Sequence, residues 1–83
     1  MNYYRKLVIK TPSLNNQLYV DSMNEYMRNK QRFDEKRIKL FYKIGSSFRI
    51  YLYGLDGSLK HKYNHMNTNK IINDINAMPM GRY

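Results

Sequence analysis

Between Arg37 and Tyr63 the chain alternates β-branched and aromatic residues with lysine and arginine. The alternation breaks at Gly45-Ser46-Ser47 and again at Asp56-Gly57, and these are residue types that favour tight turns. Period-two alternation interrupted by turn residues is typical of strands joined by hairpins. The stretch therefore predicts a three-stranded antiparallel meander.

The two turns also predict which residues face one another across the strands, because a hairpin turn fixes the register of its strands. A hairpin at Gly45 to Ser47 places Leu40 opposite Leu52, and a two-residue turn at Asp56-Gly57 places His61 opposite the same leucine. The other predicted pairs are Ile44 with Phe48, Tyr42 with Ile50, Lys43 with Arg49, Phe41 with Tyr51, Lys39 with Tyr53, Lys60 with Tyr53, Lys62 with Tyr51 and Tyr63 with Ile50.

This register gives the meander two faces of different chemistry. The apolar face, which we expect in the core, is Ile38, Leu40, Tyr42, Ile44, Phe48, Ile50, Leu52 and Leu59. The opposite face carries aromatic rings between cations, at Lys39, Phe41, Lys43, Arg49, Tyr51, Tyr53, Lys60 and Lys62. His61 falls on the apolar side of this register.

The first half of the chain predicts one strand and one helix. Tyr3 to Lys10 has the β-branched content of a strand, and Pro12 ends it because proline cannot donate to a ladder. Ser22-Met23-Asn24-Glu25 matches a capping box, which predicts a helix from Met23 to Gln31. Residues 14–21 fit either a returning strand or an earlier start of that helix, with Ser13 as an alternative cap.

A second helix is predicted near the end of the chain, from Asn69 to Met78 with Thr68 as its cap. Ile71, Ile72 and Ile75 form one apolar stripe along it, which we expect to lie on the sheet. The elements together predict an α+β domain spanning residues 1–83. Its antiparallel sheet has four or five strands with helices packed on one face, and residues 79–83 form a flexible tail.

Composition narrows the classes of partner and site. The 83 residues carry a net charge of +9, which favours polyanionic partners, although an Asn- and Lys-rich chain also results from AT-rich coding. The absence of cysteine excludes disulfides and thiolate metal sites, and we expect no cofactor. No apolar run approaches the roughly 20 residues of a membrane span, and residues 1–10 are too charged for a signal peptide, so we expect a soluble cytoplasmic protein.

The positive charge is concentrated at residues 28–43, at the end of the first helix and in the following strand. Cations near a helix C-terminus are favoured by the macrodipole, so this cluster suits either capping or ligand binding. Arg28, Arg32 and Arg37 are therefore candidate ligand-binding residues beside the basic and aromatic face of the meander.

A sheet face bearing rings among cations has the chemistry of RNA binding, since rings stack on unpaired bases and cations contact phosphates. Two other functions remain open. The positive field would also suit a protein that docks on an acidic or nucleic-acid-binding surface. His61 or His65 could instead serve a metal-independent ribonuclease as acid or base. The element order resembles toxin endoribonucleases of the RelE or HicA kind, although Ser47 stands where the HicA strand motif has histidine.

The short, basic, cysteine-free and tyrosine-rich chain resembles the small early proteins with which T4-like bacteriophages act against host machinery and defences. Within that group, its basic and aromatic meander is similar to the TifA-like inhibitors of the ToxN toxin ribonuclease. The resemblance implies a phage protein in the bacterial cytoplasm that inhibits a host ribonuclease or another nucleic-acid enzyme through a protein–RNA complex.

Overall fold

A computed structural model describes residues 3–78 of the chain, so the predicted tail at residues 79–83 lies outside the described residues. The elements in order are β1 (Arg5–Thr11), α1 (Gln17–Arg28), α2 (Lys30–Glu35), β2 (Ile38–Ile44), β3 (Arg49–Tyr53), β4 (Leu59–Tyr63) and α3 (Thr68–Asn76). The strands form one four-stranded sheet in the order β2-β1-β3-β4. The predicted α+β class and a mostly antiparallel sheet are therefore confirmed.

Strand β1 lies in the centre of the sheet, parallel to β2 and antiparallel to β3. The predicted hairpin between β2 and β3 is therefore wrong, because β1 is inserted between them. The connection from β2 to β3 instead passes over the end of β1, where the Gly45 N–H donates to the Thr11 carbonyl at 3.0 Å. Leu7 and Ile9 are fully buried, which explains why β1 occupies the centre of the sheet.

The predicted faces survive this insertion, because the predicted neighbours remain in the same row across the sheet. Leu40 and Leu52 both pair with Leu7, and Phe41 and Tyr51 both pair with Val8. The residues of β2 and β3 that were predicted as partners are thus two strand spacings apart, roughly 9.5 Å, instead of one. The sequence pattern identified the faces of β2 and β3 correctly but not the strand order.

The β3–β4 hairpin agrees with prediction at three of its pairs, which are Ile50 with Tyr63, Tyr51 with Lys62 and Leu52 with His61. Its turn is longer than predicted: the Gly57 N–H donates to the Gly54 carbonyl, and Gly57 has φ of 82°, which favours glycine. A bulge at Lys60 restores the register. Leu59 consequently pairs with Tyr53 and is 41% exposed, so its predicted place in the core is wrong.

Helix α1 begins at Gln17, with Asn16 as its cap, so the earlier of the two possible starts is the observed one. The Asn16 side chain accepts hydrogen bonds from the first-turn amides of Leu18 and Tyr19. The predicted capping box at Ser22 is wrong. Ser22 is buried inside the helix, and its hydroxyl donates to the Leu18 carbonyl at 2.7 Å.

A break at Asn29 divides the predicted Met23–Gln31 helix and starts the short helix α2, which the sequence did not predict. Phe33 on α2 is fully buried, and its ring stacks on Tyr26 of α1 with centroids 5.2 Å apart. Helix α2 ends at Glu35, and two residues later Arg37 has a φ of 55°, in the left-handed region. This reversal directs the chain into β2.

Helix α3 has its predicted apolar stripe, with Ile71, Ile72 and Ile75 all buried. Its cap is Asn67, one residue before the predicted Thr68. The Thr68 hydroxyl instead donates to Glu25 of α1 at 2.7 Å. That hydrogen bond, together with Arg28, holds the pKa of the Glu25 carboxyl below its ordinary value. The contact links the two helices over the sheet.

The helices pack on one face of the sheet, as predicted. The hydrophobic core consists of Leu7, Ile9, Tyr26, Phe33, Ile38, Ile50, Leu52, Tyr63, Ile71, Ile72 and Ile75. Its strand residues come from the predicted apolar face, from the matching side of β1 and from Tyr63, which was predicted opposite Ile50. The predicted core positions of Tyr42 and Ile44 are wrong, because these residues lie on the edge strand and are 55% and 60% exposed. None of the described helices is long and apolar enough to cross a membrane.

Candidate nucleic-acid interface

The sheet face opposite the helices, which we call the open face, is made by alternate residues of all four strands. Its first row is Lys39, Lys6, Tyr53 and Leu59; its second is Phe41, Val8, Tyr51 and Lys62; its third is Lys43, Lys10 and Arg49. No residue of this face belongs to the hydrophobic core. The open face therefore combines cations and aromatic rings on one accessible surface.

Strand β1 supplies the middle of the open face, which the sequence analysis missed. Lys6, Val8 and Lys10 lie between the β2 and β3 residues of their rows. The signal was present in the sequence, since lysines alternate with buried Leu7 and Ile9 along β1. Without the strand order, however, nothing in the sequence placed these lysines beside Phe41 and Tyr51.

The cations of the open face lie over its rings. The Nζ atoms of Lys10 and Lys43 are each 5.8 Å from the centroid of the Tyr51 ring. Lys6 Nζ lies 5.8 Å from the Phe41 centroid, and Phe41 in turn stacks on Tyr4 at 6.2 Å. These cation–π contacts keep the ammonium groups and the rings close together on one surface, so a single ligand can contact both.

The open face carries no carboxylate to balance its cations. Five of the six acidic residues lie on helices and the sixth, Asp56, lies in the β3–β4 turn. The ion pairs among the described residues join these acids to residues outside the open face, such as Lys30, Lys60 and Lys70. Lys6, Lys10, Lys39, Lys43, Arg49 and Lys62 therefore form an uncompensated positive field.

A groove of about 360 Å³ crosses the three rows of the open face, lined by Lys6, Val8, Lys43, Tyr53, Gly54 and Gly57. The Nε atom of Arg49, in the third row, is buried and makes no hydrogen bond among the described residues. The Arg49 side chain would have to move before a ligand oxygen could reach this donor.

Four of the predicted site residues lie away from the open face. Arg28 and Arg32 are on the helices, where Arg28 pairs with Glu25 at 2.9 Å. Arg37 lies at the β2 edge and lines a pocket with Tyr3, Tyr4 and Lys39, so it borders the open face. Lys60 is displaced by the bulge.

Lys60 serves the β3–β4 turn instead of the open face. Its Nζ atom pairs with Asp56 at 2.9 Å, and its side chain lines a cavity with Ala77 and Met78 at the end of α3. The Ser58 N–H donates to the same carboxylate and, with Lys60, holds the pKa of Asp56 well below its ordinary value. The charge of Lys60 is thus committed to a local ion pair.

His61 lies on the helix side of β4, as the register predicted. Its Nδ1 atom is 3.7 Å from Asp74 of α3, and its ring stacks on Tyr63. The Tyr63 hydroxyl donates to Asp74 at 2.7 Å. His65 is exposed in the loop between β4 and α3. Of the two histidines named for the ribonuclease alternative, His61 is therefore on the opposite side of the sheet from the open face.

The Tyr63–Asp74 pair should also control acid stability. Burial acts to raise the pKa of Asp74, but hydrogen bonds from Tyr63 and Lys70 outweigh it, so the pKa lies below its ordinary value. A carboxyl with a depressed pKa in the folded state stabilises the fold above its unfolded pKa, near 4, and that stabilisation is lost as pH falls through the folded pKa.

We expect Tyr63→Phe to lower the free energy of unfolding by about 1–2 kcal/mol at neutral pH, because it removes a hydrogen bond to a charged group. The loss should shrink as the pH falls below about 4 and through the depressed pKa of Asp74, because the carboxylate that accepts the hydrogen bond is then lost. Urea unfolding across this pH range measures both effects. Tyr53→Phe is the matched control, since that hydroxyl has no partner among the described residues. If the loss of stability in Tyr63→Phe were the same at every pH, the hydrogen bond from Tyr63 to the Asp74 carboxylate would be contradicted.

The described residues contain no group of three or more histidine, aspartate or glutamate side chains that could hold a metal ion. Comparison with known proteins adds no relative: no family model, curated protein or solved structure matches the chain.

Proposed function

We propose that the open face binds single-stranded RNA. The observation that carries the proposal is the combination of Lys6, Lys10, Lys39, Lys43, Arg49 and Lys62 with Phe41, Tyr51 and Tyr53 on one uncovered sheet face that has no carboxylate. Cations of this kind contact phosphates and release counterions, while rings stack on exposed bases.

The presence of rings favours a single strand over a duplex as the ligand. A patch that contacted only phosphates would need cations alone, whereas Phe41 and Tyr51 gain from stacking only when bases are unpaired. Phe41 is 40% exposed on the edge strand, so a base can reach its ring without rearrangement of the sheet. Val8 separates the two rings with a small apolar surface.

The proposal extends to an inhibitory role. A protein that holds single-stranded RNA can occupy the RNA that a ribonuclease or another host enzyme needs, which agrees with the resemblance to phage inhibitors. Purification of the tagged protein from bacterial cells, with and without nuclease treatment, tests this role. An enzyme that co-purifies only when RNA is intact would support it, and a complex that survives nuclease treatment would favour direct protein docking.

Phe41 and Tyr42 provide a matched pair for testing the face. They are neighbours on β2, but Phe41 lies on the open face, whereas Tyr42 points to the helix side and is 55% exposed. We expect Phe41→Ala to weaken binding of a labelled single-stranded RNA by roughly 5-fold to 30-fold, at the lower end of the range for base stacking. Fluorescence anisotropy measures the affinity.

Tyr42→Ala should leave RNA affinity within about twofold of the original protein, since its ring cannot reach a ligand on the open face. Both variants should retain the original dependence of affinity on salt, because neither changes charge. Equal loss in the two variants would contradict the proposal. Duplex RNA and single-stranded DNA of the same sequence serve as competitors. If either competitor bound more tightly than single-stranded RNA, it would be the preferred ligand and the proposal would be wrong on this point.

A further inference from the structure

The outer edge of β2 is a long, unpaired strand edge. Strand β2 has seven residues in unbroken register with β1, and no strand of the described part of the chain pairs with its other side. Its sequence contains no proline and no bulge, so Lys39 and Lys43 are its protection against unspecific pairing. The opposite edge, at β4, is shorter and carries the bulge at Lys60.

The backbone groups that point outward from this edge can be identified. Arg5 N–H donates to the Arg37 carbonyl, and Gly45 N–H donates to the Thr11 carbonyl, so odd-numbered residues of this segment face β1. Because successive residues of a strand point their backbone groups to opposite sides, Ile38, Leu40, Tyr42 and Ile44 direct theirs away from the sheet. These amides and carbonyls are available to another strand.

The side chains along the edge define the kind of strand that would fit. On the helix side, Tyr42 and Ile44 are 55% and 60% exposed, so they offer apolar surface to a neighbour. On the open face, Lys39 and Lys43 flank Phe41 and have no carboxylate partner among the described residues. A fitting strand would carry apolar residues on one face and acidic residues on the other.

A second copy of this chain fits the edge poorly. The two-fold register that pairs the whole of β2 with itself centres on Phe41 and places Lys39 of one copy opposite Lys43 of the other, twice. Like charges directly opposite each other destabilise a strand pair, whereas opposite charges stabilise it. Charge complementarity therefore favours a different polypeptide over self-association.

From these features we infer that β2 docks an extended polypeptide segment in which acidic residues alternate with apolar ones. The segment adds a fifth strand to the sheet. Its backbone pairs with the outward groups of Leu40 and Tyr42, and its acidic side chains face Lys39 and Lys43. The backbone pairing at this edge does not depend on RNA binding, although Lys39 and Lys43 also belong to the open face.

The test uses a capped synthetic peptide of alternating glutamate and valine, added to the full-length protein without RNA. Amide hydrogen exchange, followed residue by residue by NMR, should slow roughly tenfold or more at Leu40 and Tyr42 when the peptide is bound. The amide of Phe41, which faces β1, should change little. The same peptide with N-methyl groups on alternate residues cannot complete the ladder and should bind at least roughly tenfold more weakly.

Charge reversal provides the second arm of the test. Lys39→Glu/Lys43→Glu should weaken the glutamate–valine peptide by roughly tenfold or more and should strengthen a lysine–valine peptide. Lys62→Glu/Lys70→Glu makes the same change in net charge on β4 and α3, away from β2, and should leave both affinities nearly unchanged.

Several results would overturn the inference. These are the absence of peptide binding up to about 1 mM, binding without protection of Leu40 and Tyr42, and equal binding of the N-methylated peptide. Protection that rises with protein concentration when no peptide is present would show that a second copy covers the edge.

Discussion

Phe33→Ala is expected to lower the free energy of unfolding by about 3–5 kcal/mol, the range for removing a buried aromatic ring. Phe33 has no exposed surface, and it stacks on Tyr26 where α2 joins α1 to the sheet. A domain of 83 residues has a total stability of roughly 4–12 kcal/mol, so the variant should lose a large part of it. Urea unfolding followed by circular dichroism measures the change.

Met27→Ala is the control for this prediction, because Met27 lies on α1 and is 61% exposed. It should change stability by less than about 0.5 kcal/mol. If Phe33→Ala lost less than about 1 kcal/mol, the packing of α2 against the sheet would be wrong. A comparable loss in Met27→Ala would show instead that the exposed Met27 side chain also packs in the folded protein.

The second large effect concerns charge on the open face. Changing Lys6, Lys10 and Lys43 together to glutamine should weaken binding of single-stranded RNA by roughly 100-fold at about 0.1 M salt. The estimate assigns one phosphate contact to each lysine and a counterion slope of about 0.7 for each contact with a single strand. The slope of log affinity against log salt should therefore fall by about 2.

The matched control makes the same change in net charge on the helix layer, by changing Lys30, Arg32 and Lys70 to glutamine. Both triple variants carry +6 in place of +9. Lys30 and Lys70 form exposed ion pairs with Asp34 and Asp74, and pairs of this kind contribute little to stability. If the two triple variants lost affinity equally, net charge and not the open face would govern binding.

Alternation along the sequence was enough to predict the two faces of the sheet. The side of each residue follows from period two alone, and so Lys39, Phe41 and Tyr51 were correctly grouped on one face. Strand order does not follow from alternation. The insertion of β1 between β2 and β3 depends on the crossover through α1 and α2, whose contacts join residues far apart in sequence.

Local chemistry at helix ends was similarly ambiguous. Asn16 and Ser22 are both residues that cap helices well, and the Ser22 to Glu25 spacing fits a capping box. Burial decides where the helix begins, since an α1 that starts at Gln17 includes Ser22 and Tyr26 as its buried residues. The break at Asn29 also depends on packing, because it allows Phe33 to enter the core.

The candidate site was predicted only in part, because the sequence did not give the strand order. The residues of β2 and β3 were found because they lie in the most regular alternation of the chain. Lys6 and Lys10 were missed because their neighbours could not be known without the strand order. Lys60 was placed on the wrong face because a bulge changes the side to which one residue points, and its signal is weak in sequence.

Strand β2 contributes to both proposals, in part through the same groups. The side chains of Lys39 and Lys43 belong to the open face and would also face the acidic residues of a peptide at the edge, whereas the outward backbone groups of Leu40 and Tyr42 serve the peptide alone. An RNA on the open face and an acidic peptide at the edge would therefore compete for the two lysines.

The most direct test of the open face uses the two valines of the chain as reporters. Val8 lies at the centre of the open face, and Val20 lies on α1 in the helix layer. Methyl NMR of valine-labelled protein, titrated with a single-stranded RNA about 12 nucleotides long, reports on both sides of the sheet at once. RNA binding at the open face predicts that the Val8 signals shift while those of Val20 remain unchanged. A shift of Val20 with no change at Val8 would contradict it.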